Sequence, residues 1–178
     1  LDENAQFLAC GNTIFNRKLS VAKNLECLRF LSDCGICIDG IDINDVPVDI
    51  LREHIGYVPQ DSFLFSATIK SNIEFFRPIY SDDEVEEAAR LSGVYENILS
   101  FPEGFETIVG ERGTTLSGGQ KQRISIARAI IKNPSILILD DSLSAVDVKT
   151  EKEILSNMKK VLENKTGIII SHRASTIM

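Results

Sequence analysis

The stretch richest in chemical possibility is Leu116-Ser117-Gly118-Gly119-Gln120, which runs directly into Lys121-Gln122-Arg123 and a helical pattern. Two glycines let backbone approach a ligand closely. Ser117 is suited to cap the helix, and the first-turn N–H groups carry a partial positive charge that suits a phosphate. Alone, the same residues suit a capped surface helix after a glycine turn. Downstream, the apolar run Ile136-Leu137-Ile138-Leu139 delivers Asp140 and Asp141 at a strand's C-terminal end, where parallel α/β sheets place ligand chemistry. One carboxylate there can hold Mg²⁺ and the next can polarise a water, although two Asp after a strand also suit a cap or a turn. Ser144-Ala145-Val146-Asp147 follows as a loop, and Ile168-Ile169-Ile170 delivers Ser171-His172-Arg173. An imidazole titrating near about 6.5 can be structural or can donate to a terminal phosphate.

These residues need a sheet with helices between its strands. Strand-like runs fall at 36–39, 55–58, 136–140 and 167–170, with helical periodicity between them, which predicts a parallel sheet. The last two runs are apolar without alternation and are expected to be central and covered on both faces. Ser81-Asp82-Asp83-Glu84 opens a helix with Val85, Ala88 and Ala89 on one face and Gly93 as its stop. A helix from Ser117 is expected to end at Asn133 before Pro134, and another to cover 150–162. The first 30 residues give only weak signals.

The chain has 178 residues, 43% of them hydrophobic and 25% charged, which predicts one folded soluble-type domain. A net charge of −7 repels phosphate backbones and argues against nucleic-acid partners. The apolar runs are far below the roughly 18 residues of a membrane span, and the start at Leu1 lacks the features of a signal peptide. Cys34 and Cys37 form a C-x-x-C. Cys37 sits in the apolar run before the Asp39-Gly40 turn, so a buried reduced thiol is expected there instead of zinc or redox chemistry.

Taken in order, Gln60, LSGGQ, hydrophobic-Asp-Asp, S-A-V-D and S-H-R resemble the nucleotide-binding domain of an ATP-binding-cassette transporter over about residues 35 to 177. The resemblance implies an α/β, P-loop NTPase-like (RecA-like) parallel-sheet core with an inserted helical subdomain, truncated at both ends. The expected division is a degenerate N-terminal core part over 1–60, a helical and signature part over 61–133, and a core part over 134–178. It implies ATP and Mg²⁺ as cofactors. Gln60 of the Q-loop and Asp140 of Walker B would serve the metal; Asp141 would be the general base and His172 the switch histidine. Ser117, Gly118, Gly119 and Gln120 would be the signature that contacts nucleotide, with Asp147 of the D-loop. Val109-Gly110-Glu111-Arg112-Gly113 is similar to the segment that exporters carry before the signature. The implied partners are a second cassette in a homo- or heterodimer, packed head to tail, and the coupling helices of a transmembrane domain absent from this chain. That domain would hold the chain at the cytoplasmic face of the membrane. Phe63-Leu64-Phe65 is expected at that contact, with core packing as the alternative.

The sequence departs from the family's pattern in two places. Position 141 is Asp where a competent member carries Glu, as in the weak-site subunit of heterodimeric bacterial exporters. A carboxylate displaced by about 1 Å can cost ~10²-fold in rate. The cradle G-x-x-x-x-G-K-[ST] is absent from the sequence. The region near Gly11 to Ala22, where it should fall, holds only the degenerate stretch Gly11 to Lys18 and lacks the glycines that an anion nest requires. The expected function is therefore an exporter subunit that lends its signature to a partner's ATP site. The alternative is a nonenzymatic remnant. A DNA-repair ATPase would need a long coiled-coil insertion between Gln60 and Leu116 that this chain does not have.

Overall fold

The computed structural model describes residues 37–110 and 116–171 in full, and 6–10 and 13–17 by backbone course. The strands are β1 (Gln6–Cys10), β2 (Thr13–Arg17), β3 (Cys37–Ile38), β4 (Ile41–Asp42), β5 (Ile55–Val58), β6 (Ile136–Asp140) and β7 (Thr166–Ile170). The α-helices are α1 (Val48–His54), α2 (Ile69–Glu74), α3 (Asp82–Leu91), α4 (Tyr95–Leu99), α5 (Gly118–Ile130) and α6 (Val148–Val161).

Five strands form one sheet in the order β1-β2-β7-β6-β5. β5, β6 and β7 run parallel, with Val58 opposite Leu139 and Asp140 opposite Ile170. The parallel expectation holds there, with β6 and β7 interior. The weakly patterned N-terminal segment adds β1 and β2 as an antiparallel hairpin on β7, so the sheet is mixed. The run expected as a strand at 36–39 is not part of this sheet among the described residues. Its β3 pairs only with β4, across a turn in which Asp39 and Gly40 have φ of 50° and 85°, as a two-residue hairpin with positive φ at both central positions demands. This corrects the reading of Cys37, which is exposed: a two-residue strand in a surface hairpin has no second layer to cover it.

α5 packs against β5, α2 and α3. A Cβ on Gly56 would lie 2.8 Å from the Ala129 carbonyl oxygen, so the glycine lets β5 pass directly beneath this helix. The face of α5 that meets the core carries Ile124, Ile126, Ala127 and Ile130, all buried, with Val58, Leu137 and Leu139 from the sheet in the same cluster. β6 alternates between buried and half-buried positions, so its second face is less covered than its unbroken apolar run predicts.

Helix ends follow the local sequence. Ser81 and Glu84 form a reciprocal capping box on α3, and Gly93 stands at φ 70° just past its end. α5 stops at Ile130, and Asn133 adopts φ 50° before Pro134. α6 starts two residues earlier than expected because the Asp147 side chain accepts from Lys149 N and Thr150 N at 3.1 and 3.0 Å, satisfying first-turn donors.

Candidate functional site

Parallel register gathers one group of predicted residues at the C-terminal edge of the sheet. Val58 and Leu139 are opposite each other, so Gln60 and Asp140 leave adjacent strands at the same end. Ser171 leaves β7 beside them; His172 lies outside the described residues. Gln60 is exposed and Asp140 half-buried. Tyr57 Oη donates to Asp140 Oδ2 at 3.3 Å. Partial burial and then the Asp140 charge raise the Tyr57 pKa, so the phenol stays a donor. Asp141 is buried and left-handed at φ 44°, a conformation that Asp tolerates better than most residues. Its N–H donates to Ile170 O at 2.8 Å, and its carbonyl accepts from Ser144 Oγ at 2.8 Å.

The second group is the start of α5. Ser117 Oγ accepts from Gln120 N at 3.3 Å, while Gln120 Oε1 accepts from Ser117 N at 2.9 Å. This is a capping box read directly from S-x-x-Q. Lys121 N bonds the Ser117 carbonyl. The N–H groups of Gly118 and Gly119 stand outside that cap, on residues that are exposed and half-buried. The Ser117 hydroxyl acts as acceptor in the cap, which leaves its own hydrogen to donate to an incoming oxygen. Such a helix start, with two glycines and a hydroxyl, has the donor set for an anion.

The loop 144–147 is joined to that helix start within the same chain. Gln122 Nε2 donates to Ser144 Oγ at 3.0 Å, and Gln122 Oε1 accepts from Ala145 N at 2.9 Å. A Cβ at Gly119 would stand 2.8 Å from the Ala145 carbonyl oxygen, so only glycine admits this contact. Arg123 Nε donates to Gly119 O at 3.1 Å and its guanidinium also reaches Gly93 O. Burial lowers the Arg123 pKa, and the charges of Asp147 and Glu153 oppose that. Asp147 itself is exposed; the N–H of Thr150 holds its carboxyl below the usual carboxylate range. Its position is that of a helix cap. Gln122 was not anticipated from sequence. Its signal is a polar residue at helical spacing among Ile126 and Ala129, all of them buried, which asks for a buried polar partner.

The hard oxygen donors of Asp140 and Gln60 suit Mg²⁺. No cluster of three or more His, Cys, Asp or Glu suited to a metal occurs among the described residues. A triphosphate does not fit this edge equally well: the sequence supplies no glycine-rich cradle, and the segment 11–18 where it belongs lies partly outside the described residues.

An exposed aromatic face lies on the segment that follows Gln60 in the chain. Phe63, Phe75 and Phe76 are 57%, 51% and 53% exposed, and their rings pack edge-on to Phe65 with centroids 5.0 to 5.9 Å apart. No helix of the described residues is long and apolar enough to cross a membrane.

Comparison with known proteins gives a consistent result. The family described as ABC transporter matches residues 24–144. ATP-binding cassette sub-family B member 6 of Mus musculus is 52% identical over 148 residues, which is 83% of this chain and 18% of that protein. Heavy metal tolerance factor 1 of Caenorhabditis elegans is 43% identical over 98% of this chain and 22% of its own length. The putative multidrug export ATP-binding/permease protein YgaD of Bacillus subtilis is 51% identical over 80% of this chain and 24% of its own. The chain thus spans about a fifth to a quarter of these curated relatives. A solved bacterial Atm1-family ABC exporter with ATP bound is similar at a TM-score of 0.76 and 49% identity, covering 79% of this chain and 25% of that one.

Proposed function

The chain belongs to the ABC transporter family as an exporter-type ATP-binding domain, and from that premise we propose that its chief contribution is the signature Ser117-Gly118-Gly119-Gln120, lent in trans to the ATP site of a partner cassette. The observation that carries this reading is the complete donor set at the start of α5, locked to Ala145 through Gly119 and Gln122, in a chain whose sequence lacks its own phosphate cradle. Two cassettes packed head to tail place each ATP between one cradle and the other chain's signature, so a defect at one end leaves the other end useful.

In this reading Ser117 donates its hydroxyl hydrogen to a γ-phosphate oxygen of the partner-bound ATP, and the Gly118 and Gly119 N–H groups and the α5 dipole stabilise its charge. Asp147 approaches the same nucleotide from the adjoining loop. At this chain's own edge, Asp140 and Gln60 hold Mg²⁺, while Asp141 and His172 take the base and switch positions in a site that turns over little or not at all. The family's chemistry is ATP with Mg²⁺; no hydrolytic step is assigned to this chain's own site. Residues 61–133 act as the helical and signature part between the core parts 1–60 and 134–178. The aromatic face of Phe63, Phe65 and Phe75 receives the coupling helices of a transmembrane domain, which places the chain at the cytoplasmic membrane surface.

The decisive experiment pairs the chain with a fully equipped cassette and measures ATP turnover. Ser117→Ala is expected to lower it by ~10²-fold, about 2.7 kcal/mol in the barrier. Unchanged turnover excludes the lent signature. The remnant reading, favoured by the absent cradle alone, requires that the chain neither pair nor affect a partner's turnover. Titration of the isolated chain with a fluorescent ATP analogue bears on the chain's own site: a Kd tighter than roughly 100 μM, about 5.5 kcal/mol of binding, means another loop has replaced the cradle.

A further inference from the structure

Phe75 and Phe76 follow α2 with φ of 51° and 58°, the left-handed region that bulky side chains enter only when their surroundings hold them there. Their N–H groups both donate to Ser71 O of α2, and the segment around them is tied to the helix that starts at the signature through Arg128. Arg128 donates Nε to Asn72 O at 2.7 Å, one terminal nitrogen to Phe63 O at 2.9 Å, and the other to Asn72 Oδ1 at 2.9 Å. Its guanidinium also stands 5.4 Å from the Phe75 ring centroid and 5.8 Å from that of Phe65.

Asn72 is fully buried and passes this anchoring on. Its Oδ1 also accepts from Phe65 N at 2.8 Å, and its Nδ2 donates to Phe65 O and Thr68 O, each at 3.0 Å. Both ends of the segment 63–76 are therefore tied to one cation on α5. The three acceptors lie around a planar fork, an arrangement that a lysine ammonium cannot reproduce. Burial pushes the Arg128 pKa down to about 10, so the side chain stays charged near neutral pH. Along α5, Arg128 is eleven residues from Ser117, about 16 Å at the helical rise.

We propose that Arg128, with Asn72 as its receiving group, is a positioning residue that makes α5 and the segment 63–76 a single rigid body, so that any displacement of the signature end is delivered undamped to the exposed aromatic face. Its consequence for transport rests on the docking reading given above; the mechanical claim does not. Among the described residues no other side-chain hydrogen bond joins the aromatic face to α5. The strain at Phe75 and Phe76 is the cost of presenting two rings outward from a helix end held so firmly.

The test is native-state hydrogen exchange on the full chain in low urea. In the unchanged protein, amides of 69–76 and of 124–130 are expected to open with the same free energy and the same urea dependence, as one cooperative unit. Arg128→Met should speed exchange across 63–76 tenfold or more while β6, at 136–140, stays within twofold. Arg128→Lys, which keeps the charge but loses the fork, should reproduce most of that loss. Independent opening of 69–76 in the unchanged chain overturns the proposal, as does full protection in the lysine variant or loosening that spreads equally to β6. If Arg128→Met does not fold, the comparison of 69–76 with 124–130 in the unchanged protein decides alone. No docked helix takes part in this measurement, so its failure is distinguishable from failure of the docking reading, which would show as normal coupled transport in a Phe63→Ser complex.

Discussion

At the start of α5 the polar groups have directed places: Ser117 and Gln120 cap each other, Gln122 holds the loop at Ser144 and Ala145, and glycine alone fits against the Ala145 carbonyl. At the C-terminal edge of the sheet the arrangement is looser. Asp140 is met by an exposed tyrosine at 3.3 Å, Gln60 is exposed, and the phosphate cradle has no counterpart in the sequence. The contrast teaches that the two edges of one cassette are separable. The polar contacts that shape the signature edge fall mostly within a short stretch of chain, 117–147, with Arg123 reaching out to Gly93. Under the proposed two-chain site, a subunit that has lost one edge would retain the function of the other.

Gly119→Asp should have the largest effect. The new Cβ would meet the Ala145 carbonyl oxygen at 2.8 Å, well inside contact distance, and the carboxylate would sit where an anion must approach two N–H groups. In a complex with an equipped partner, ATP turnover is expected to fall by more than ~10²-fold, beyond about 2.7 kcal/mol. Steady-state phosphate release checks it. Turnover like the parent's would erase the distinction between the two edges.

A smaller but still clear loss is expected from Gln122→Leu. The leucine fills the space but leaves the Ala145 N–H without its acceptor and Ser144 Oγ without its donor. Ser144 is half-buried and Ala145 exposed, so water compensates in part and the loss lies at or below the lower end of the about 1–3 kcal/mol of a buried orphan. Urea unfolding should show that loss, and paired turnover should drop by roughly tenfold because the loop no longer moves with the signature. Loss of stability with full turnover would mean that the clamp serves the fold alone.

The pH dependence should be smaller again and should also fall on the signature side. The Thr150 N–H and the Lys149 N–H lower the Asp147 pKa, so the folded carboxylate gives up its proton more readily than the unfolded one. Its contribution is then present above the unfolded pKa and is lost as pH falls through the folded one, because the unfolded chain binds more protons in that window. Thermal unfolding followed below about pH 4 should show a decline that Asp147→Asn flattens. Equal declines in both proteins would assign the acid sensitivity to other carboxylates.

The signature edge was also the more legible in sequence, for the same reason. The cap at Ser117 and the helix end at Asn133 before Pro134 are local events written over a few residues, and the chain shows each where the pattern puts it. Long-range features were not legible. Gln122 finds Ser144 across 22 residues and Arg128 finds Asn72 across 56, distances over which periodicity carries no information. Cys37 was misread because an apolar triplet does not reveal whether its strand joins the main sheet or a surface hairpin. The hairpin of β1 and β2 was missed although Gly11-Asn12 stands between the two runs as a two-residue turn signal; the runs themselves lack the alternation that marks a strand.

Asp141→Asn is expected to change least, and the reasons come from the fold and the chemistry together. At φ 44° the position asks for a residue at ease in the left-handed region, and Asn is at least as suited as Asp. The structural bonds of residue 141 described here are made by its backbone, from its N–H to Ile170 O and from Ser144 Oγ to its carbonyl, and both survive the change. What is lost is a buried carboxylate in the position that the proposed reading gives to the general base, at an edge whose sequence lacks a phosphate cradle. If that edge is already nearly idle, paired turnover should stay within twofold of the parent and the urea midpoint should not fall. A drop approaching that of Gly119→Asp would show that Asp141 acts on a nucleotide held at this chain's own edge, and the assignment of turnover to the partner's site would have to be reversed.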